Sequence, residues 1–128
     1  MSSDPRRGTG RRGEDLAAAR LARLGYAIVE RNFRTREGEI DLIAKRDGTL
    51  VFCEVKTLVA RRGEPAAGPV TPLEAVGRAK RVQVRRVARS WLSARGGQGA
   101  ADLRFDAIGV LLSPRGEVVR LDHVEAAF

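Results

Sequence analysis

The stretch GEIDLIAKRDGTLVFCEVKT, from Gly38 to Thr57, reads as two strands joined by a tight turn, and its register decides the fold. It sets Glu39, Asp41, Glu54 and Lys56 among apolar residues, which an ordinary core strand pair would not hold. Asp47-Gly48 is a strong signal for a two-residue hairpin loop. Such a loop fixes the pairing: Arg46 faces Thr49, Asp41 faces Glu54, and Glu39 faces Lys56. Side chains alternate along a strand, so Ile40, Leu42, Ala44, Val51, Cys53 and Val55 share one apolar face. Glu39, Asp41, Glu54 and Lys56 share the other, at the end away from the turn, with Ile43 and Phe52 continuing it.

Facing residues of an antiparallel pair have Cβ atoms roughly 5 Å apart, and like charges so placed are destabilising. Asp41 against Glu54 is therefore a local conflict, of the kind that tends to mark a functional site. Two arrangements relieve it. A divalent cation such as Mg²⁺ or Mn²⁺ takes one or two carboxylates and fills its remaining positions with water and substrate oxygens. Alternatively, the acids form a solvated pair at a strand end, with Lys56 neutralising Glu39 across the ladder. Glu14 falls within the apolar stripe Ala17, Ala18, Leu21 and Leu24 of a first helix, so it points toward the sheet. It suits either favourable charge in a first helical turn or a helper at a metal site. Lys56 lies two residues past Glu54 on the same strand face, where an ammonium could serve phosphodiester hydrolysis at a metal.

The rest of the chain places this hairpin in a single domain. The 128 residues suit one modest core, and no apolar run approaches the ~20 residues of a membrane helix. Residues 1–12 read as a flexible basic tail, and 13–128 as one domain. The first helix is expected over Gly13–Leu24, stopped by Gly25. YAIVERNF is a short strand, followed by the hairpin. Residues 60–69 form a basic Gly/Pro-rich loop. Thr71, Pro72 and Glu74 then begin a long helix with a capping box. Val84, Val87, Ala88, Trp91 and Leu92 are its buried stripe, so Trp91 is expected in the core. LRFDAIGVLL and EVVRLDHV are the last strands. The order α-β-β-β-α-β-β predicts an α/β fold, a mixed sheet flanked by helices.

One cysteine excludes an intrachain disulfide and fits a reducing cytoplasm. One cysteine and one histidine exclude a zinc site built on those ligands. Net charge is +8, with 21 of 24 basic residues arginine, and segment 61–95 alone carries +7. Arg61, Arg62, Lys80, Arg81, Arg85 and Arg89 are the candidates for phosphate contact, with nucleic acid the simplest polyanionic partner. A solvated surface with an arginine-biased codon usage is the other account. Asp106 is expected to pair with Arg104, Cys53 to be a small buried hydrophobe, and His123 to be structural.

At Asp41, Glu54 and Lys56 the sequence resembles the PD-(D/E)xK nuclease superfamily. More closely it resembles the YraN family of bacterial proteins, similar in fold to archaeal Holliday junction resolvases. The likeness runs from GEDLAAARLARLGYAIVERNFR through GEIDLIA, VFCEVKT, the Lys80 region and RFDAIGV to HVEAAF. It implies a restriction-endonuclease-like, resolvase-like sheet, with Asp41 and Glu54 as ligands of Mg²⁺ or Mn²⁺. It further implies Lys56 as the catalytic lysine and Glu14 as the assisting acid of the first helix; Glu39 belongs to the family's GEID and is a candidate assisting acid whose role the resemblance does not fix. The activity implied is endonucleolytic hydrolysis of DNA, with branched or structured DNA as the substrate class, in the cytoplasm, by a homodimer. The alternative is a non-catalytic nucleic-acid-binding module of a repair or recombination assembly. This chain departs from the family pattern in two places: Leu58 stands where Arg often follows EVKT, and Ala126 where Asn precedes the final Ala-Phe.

Overall fold

The computed structural model describes residues 5–60 and 78–128. The element order is α1 (Pro5–Arg23), β1 (Ala27–Thr35), β2 (Gly38–Arg46), β3 (Thr49–Val59), α2 (Arg78–Arg95), β4 (Asp102–Leu112) and β5 (Val118–Val124). The strands form one open five-stranded sheet in the order β1-β2-β3-β4-β5. All neighbours are antiparallel except β3 and β4, which run parallel from Thr49–Asp102 to Val59–Leu112. The sheet is therefore mixed, as the sequence predicts. Among the described residues no helix is long and apolar enough to cross a membrane. The expected loop 60–69 beyond Ala60, the Thr71-Pro72-Glu74 helix start, Arg61 and Arg62 lie outside the described residues.

Each face of the sheet is covered by one helix. Ala17 and Leu21 of α1 pack with Leu42, Ala44, Val51, Cys53, Ile108, Val110 and Leu112. Val84, Val87, Ala88 and Trp91 of α2 pack with Ile43, Leu50, Phe52 and Phe105 on the opposite face. Phe52 meets Trp91 edge-on at 5.8 Å and stacks with Phe105 at 5.4 Å; such pairs add about 0.5–1.5 kcal/mol each beyond their burial. Trp91 Nε1 donates to Glu30 Oε1 at 3.0 Å, so its one polar atom is satisfied in the core.

The Asp47-Gly48 loop fixes the register as expected. Asp47 and Gly48 have φ of 48° and 77°, the mirror-image turn that suits a twisted hairpin, and the pairs run from Arg46–Thr49 to Leu42–Cys53. Three expectations need correction. First, α1 runs from Pro5 to Arg23, so the first helix starts before the expected Gly13. Arg12 ties this extension down by donating to the Gly116 carbonyl in the β4–β5 turn. Second, Ile40 packs with the α2-side cluster, not with Leu42 and Ala44. Third, the β2–β3 ladder stops at Leu42–Cys53, and Glu39 faces Arg34 on β1 in place of Lys56.

The last two corrections share a cause. The β1–β2 ladder passes from Arg31–Leu42 to Phe33–Ile40 without pairing Asn32 and Asp41. Asn32 is in the left-handed region at φ 54°. The alternation of faces slips at this point, and Asp41 sits at the slip. At the other end of the chain Ala126 also has a positive φ, 52°. Asn tolerates that conformation better than Ala does.

Candidate active site

The site is built at the end of the hairpin far from its turn. With no ladder partner there, Asp41 uses its side chain: Oδ2 accepts the Val55 N–H at 2.7 Å. This grips β3 one residue beyond Glu54 and keeps the two strands together where their backbone pairing ends. Burial raises the Asp41 carboxyl; the Val55 hydrogen bond opposes this, and Glu54, Glu14 and Glu39 raise it further, to about 7. Among the described residues no cation pairs with Asp41.

Glu14 reaches this end of the sheet from α1. Gly13 makes that possible, because a Cβ there would lie 1.8 Å from Thr57 Oγ1 on β3. Helix and strand therefore touch backbone to side chain at Gly13, and the next residue is delivered to the sheet end. The Glu14 carboxyl is raised, chiefly by burial and then by Glu39, while Arg31 and a hydrogen bond from Asn32 oppose the shift. Glu39 is paired with Arg34, Nε to Oε1 at 3.3 Å. Two clefts flank α1 here. One, of about 300 Å³, is lined by Gly10, Arg11, Glu14, Asn32, Arg34 and Glu39. The other lies along β3 and includes Glu14, Lys56 and Thr57. Lys56 is exposed in it and has no acidic partner among the described residues.

Of the predicted site residues, Glu14, Glu39, Asp41 and Glu54 thus gather at one end of the sheet, with Lys56 at its rim. The basic residues of α2 divide. Lys80 turns inward and pairs with Glu54, Nζ to Oε1 at 3.0 Å. Arg85 lies over the Phe105 ring at 4.7 Å and donates to the Phe128 carbonyl at 3.0 Å, so it holds the end of the chain against the sheet. Arg81 and Arg89 are exposed. Sequence reasoning missed Asn32, Arg11 and Arg34. Asn in the middle of a strand was the available signal for Asn32, since Asn is enriched at positive φ; the two arginines gave none.

The donors present fit a small hard cation. They are carboxylate oxygens, and one of them, on Asp41, is half-buried near other acids with no positive partner among the described residues. No group of three or more His, Cys, Asp and Glu among the described residues is placed to hold an ion by itself. Two carboxylates with the remaining positions open is an arrangement Mg²⁺ and Mn²⁺ accept. Softer ligands are committed elsewhere. The Cys53 thiol is buried and pushed well above its ordinary pKa by that burial. His123 Nε2 bonds Asp106 Oδ2 at 2.7 Å. Asp106, fully buried, also takes two hydrogen bonds from Arg104 at 2.8 Å and one from the Ala126 N–H at 3.0 Å. Arg104 donates onward to the Tyr26 hydroxyl at 2.6 Å. This network closes the α1 face of the sheet and ties down the C-terminal segment, so the expected Arg104–Asp106 pair and a structural His123 are both found.

A family model described as "Uncharacterised protein family UPF0102" matches residues 13–110. A UPF0102 protein of Streptomyces griseus is 48% identical over 110 residues, covering 86% of this chain and 87% of that protein. One of Geobacter sulfurreducens is 47% identical over 120 residues, covering 93% and 87%. One of Chlorobium phaeobacteroides is 41% identical over 133 residues, covering 100% and 98%.

Proposed function

The chain belongs to the uncharacterised protein family UPF0102, and we propose that it is an endonuclease that hydrolyses phosphodiester bonds in DNA with Mg²⁺ or Mn²⁺. The observation that carries this reading is Asp41: a half-buried carboxylate, raised to about 7, beside Glu54 and Glu14 and without a cation among the described residues. Such a group is costly unless something positive completes it. In this reading Asp41 and Glu54 hold the cation, and Glu14 assists from α1. A divalent cation held by those carboxylates would supply polarisation of a phosphoryl oxygen and a water of lowered pKa. Asp41 keeps β3 in place through the Val55 N–H. Lys56, exposed at the rim, orients the attacking water or stabilises the charge that develops on the phosphate. Arg81 and Arg89, and Arg11 and Arg34 beside the cleft, hold flanking phosphates. The likeness of Asp41, Glu54 and Lys56 to the PD-(D/E)xK signature supports the same chemistry, and the resolvase-like pattern favours branched DNA.

The test is cleavage of branched and linear DNA with Mg²⁺ or Mn²⁺. Wild type is expected to cut, and Asp41→Ala and Lys56→Ala to lose the activity; equal cleavage by all three would falsify the assignment. One observation favours a second reading, a nucleic-acid-binding module without catalysis: Glu54 already has a cation in Lys80. Calorimetric titration separates the two, since salt-dependent DNA binding with no Mg²⁺ or Mn²⁺ affinity supports the module.

A further inference from the structure

Asp41 and Glu54 stand at the same end of the hairpin, yet their electrostatic surroundings differ. Among the described residues Asp41 has acids and a backbone N–H around it, and no cation. Glu54 has the Lys80 ammonium at 3.0 Å, with the two side chains 26% and 37% exposed. Lys80 does not arrive by chance of the surface. It stands one turn before Val84, and Val84, Val87, Ala88 and Trp91 anchor α2 to the sheet. The helix is fixed, and the lysine reaches Glu54 from it through a long flexible stem. Its neighbours on the exposed side of α2, Arg81 and Arg89, face outward. Lys80 therefore joins the acidic end of the sheet to the basic face of the helix.

Building on the nuclease reading, we infer that Lys80 is a positioning residue that serves as an interchangeable counter-cation. It occupies Glu54 while no divalent cation is bound, and it turns to the phosphodiester backbone once a cation takes that carboxylate. An ammonium and a divalent ion on one carboxylate compete. Releasing the ammonium next to an incoming polyanion gives it a second partner. Cation binding and nucleic-acid binding are then coupled through one side chain, and the coupling is reciprocal. Lys56 has a different role: among the described residues it has no acid to leave, and it is exposed at the rim.

The experiment titrates Mn²⁺ calorimetrically into wild type, Lys80→Met, Lys80→Arg and Arg20→Gln without DNA. Loss of a half-exposed ion pair is worth up to about a factor of five. Lys80→Met is thus expected to bind Mn²⁺ roughly three- to fivefold tighter than wild type. Lys80→Arg keeps the pair, and Arg20→Gln removes a distant charge; both should stay within about twofold of wild type. DNA affinity is then measured with Ca²⁺ and with a chelator. Lys80→Met should weaken binding with Ca²⁺ and leave it unchanged in chelator. If Lys80→Met and wild type bind Mn²⁺ equally, the exchange is wrong and the nuclease reading stands. If DNA affinity falls equally with and without Ca²⁺, Lys80 is a fixed phosphate contact and the exchange is again wrong. If neither protein binds Mn²⁺, the inference and the reading beneath it fall together.

Discussion

Asp41 accepts one backbone hydrogen bond and meets three other acids. Asp41→Asn keeps an oxygen for the Val55 N–H and removes the charge. In the cation-free protein the substitution should therefore stabilise the fold while abolishing any metal-dependent activity. The effect has a definite pH dependence. A carboxyl raised to about 7 holds its proton more tightly in the folded chain than in the unfolded one. Its cost is absent below the ordinary carboxylate pKa, grows as pH rises toward 7, and is complete above it, on the order of 4 kcal/mol. Urea denaturation should show Asp41→Asn more stable than wild type at pH 8 and equal to it near pH 4; a less stable variant at pH 8 would remove the argument. Asp106 behaves oppositely. Burial alone would raise it, but hydrogen bonds from His123, Arg104 and Ala126 together hold its carboxyl below the usual range. Its contribution is present above the ordinary carboxylate pKa and is lost as pH falls through the lowered one. Asp106→Ala strands Arg104 and His123, and a loss of about 3–5 kcal/mol in the same denaturation experiment is expected.

Among the elements, α1 is set by one position. Ala is the better helix former by about 1 kcal/mol over Gly, so Gly13→Ala would stabilise an unpacked helix. Here its Cβ would meet Thr57 Oγ1 at 1.8 Å and Thr57 Cβ at 2.8 Å, and neither is the end of a flexible chain. Helix or strand must move, so Gly13→Ala should lower the melting temperature and displace Glu14. A rise on thermal denaturation would show that the contact yields easily. The elements were legible where a local rule governs them. Asp47-Gly48 predicts the hairpin register, Gly25 the end of α1, and the spacing of Val84, Val87, Ala88 and Trp91 the buried face of α2. What was not legible depends on partners distant in the chain. Residues 5–12 contain two glycines and no apolar stripe, and their helix is held in part by Arg12 on the β4–β5 turn. The slip at Asn32 and Asp41 breaks the period-two rule that placed Ile40. The short turn dictates the pairing only as far as Leu42–Cys53; beyond it the acids share one end of the sheet without facing one another as the register predicts. Lys80 on Glu54 was not legible, since α2 begins well beyond the hairpin and its placement is tertiary.

Across the whole molecule the charge is uneven: acids converge at one end of the sheet, and arginines line α2 and the flanks of α1. Sequence-independent phosphate contact makes affinity fall linearly on a logarithmic salt scale. The double variant Arg81→Gln/Arg89→Gln should reduce that slope by about 2 if each arginine meets one phosphate. A filter-binding or anisotropy series over salt reads it, and an unchanged slope would place the nucleic acid on another face. The order of the sheet has a further consequence, in time instead of space. The β2–β3 hairpin closes over a two-residue loop, an event of microseconds. The parallel β3–β4 pairing has to wait for everything between those strands, and non-local pairing of this kind is slow. Asp41 and Glu54 therefore meet early in folding, whereas Lys80 arrives with α2. During that interval the nascent hairpin carries its repulsion uncompensated. If the site takes a divalent ion as proposed, such ions in a refolding mixture are expected to raise the speed at which this chain reaches its native state, which stopped-flow refolding with and without Mg²⁺ would measure.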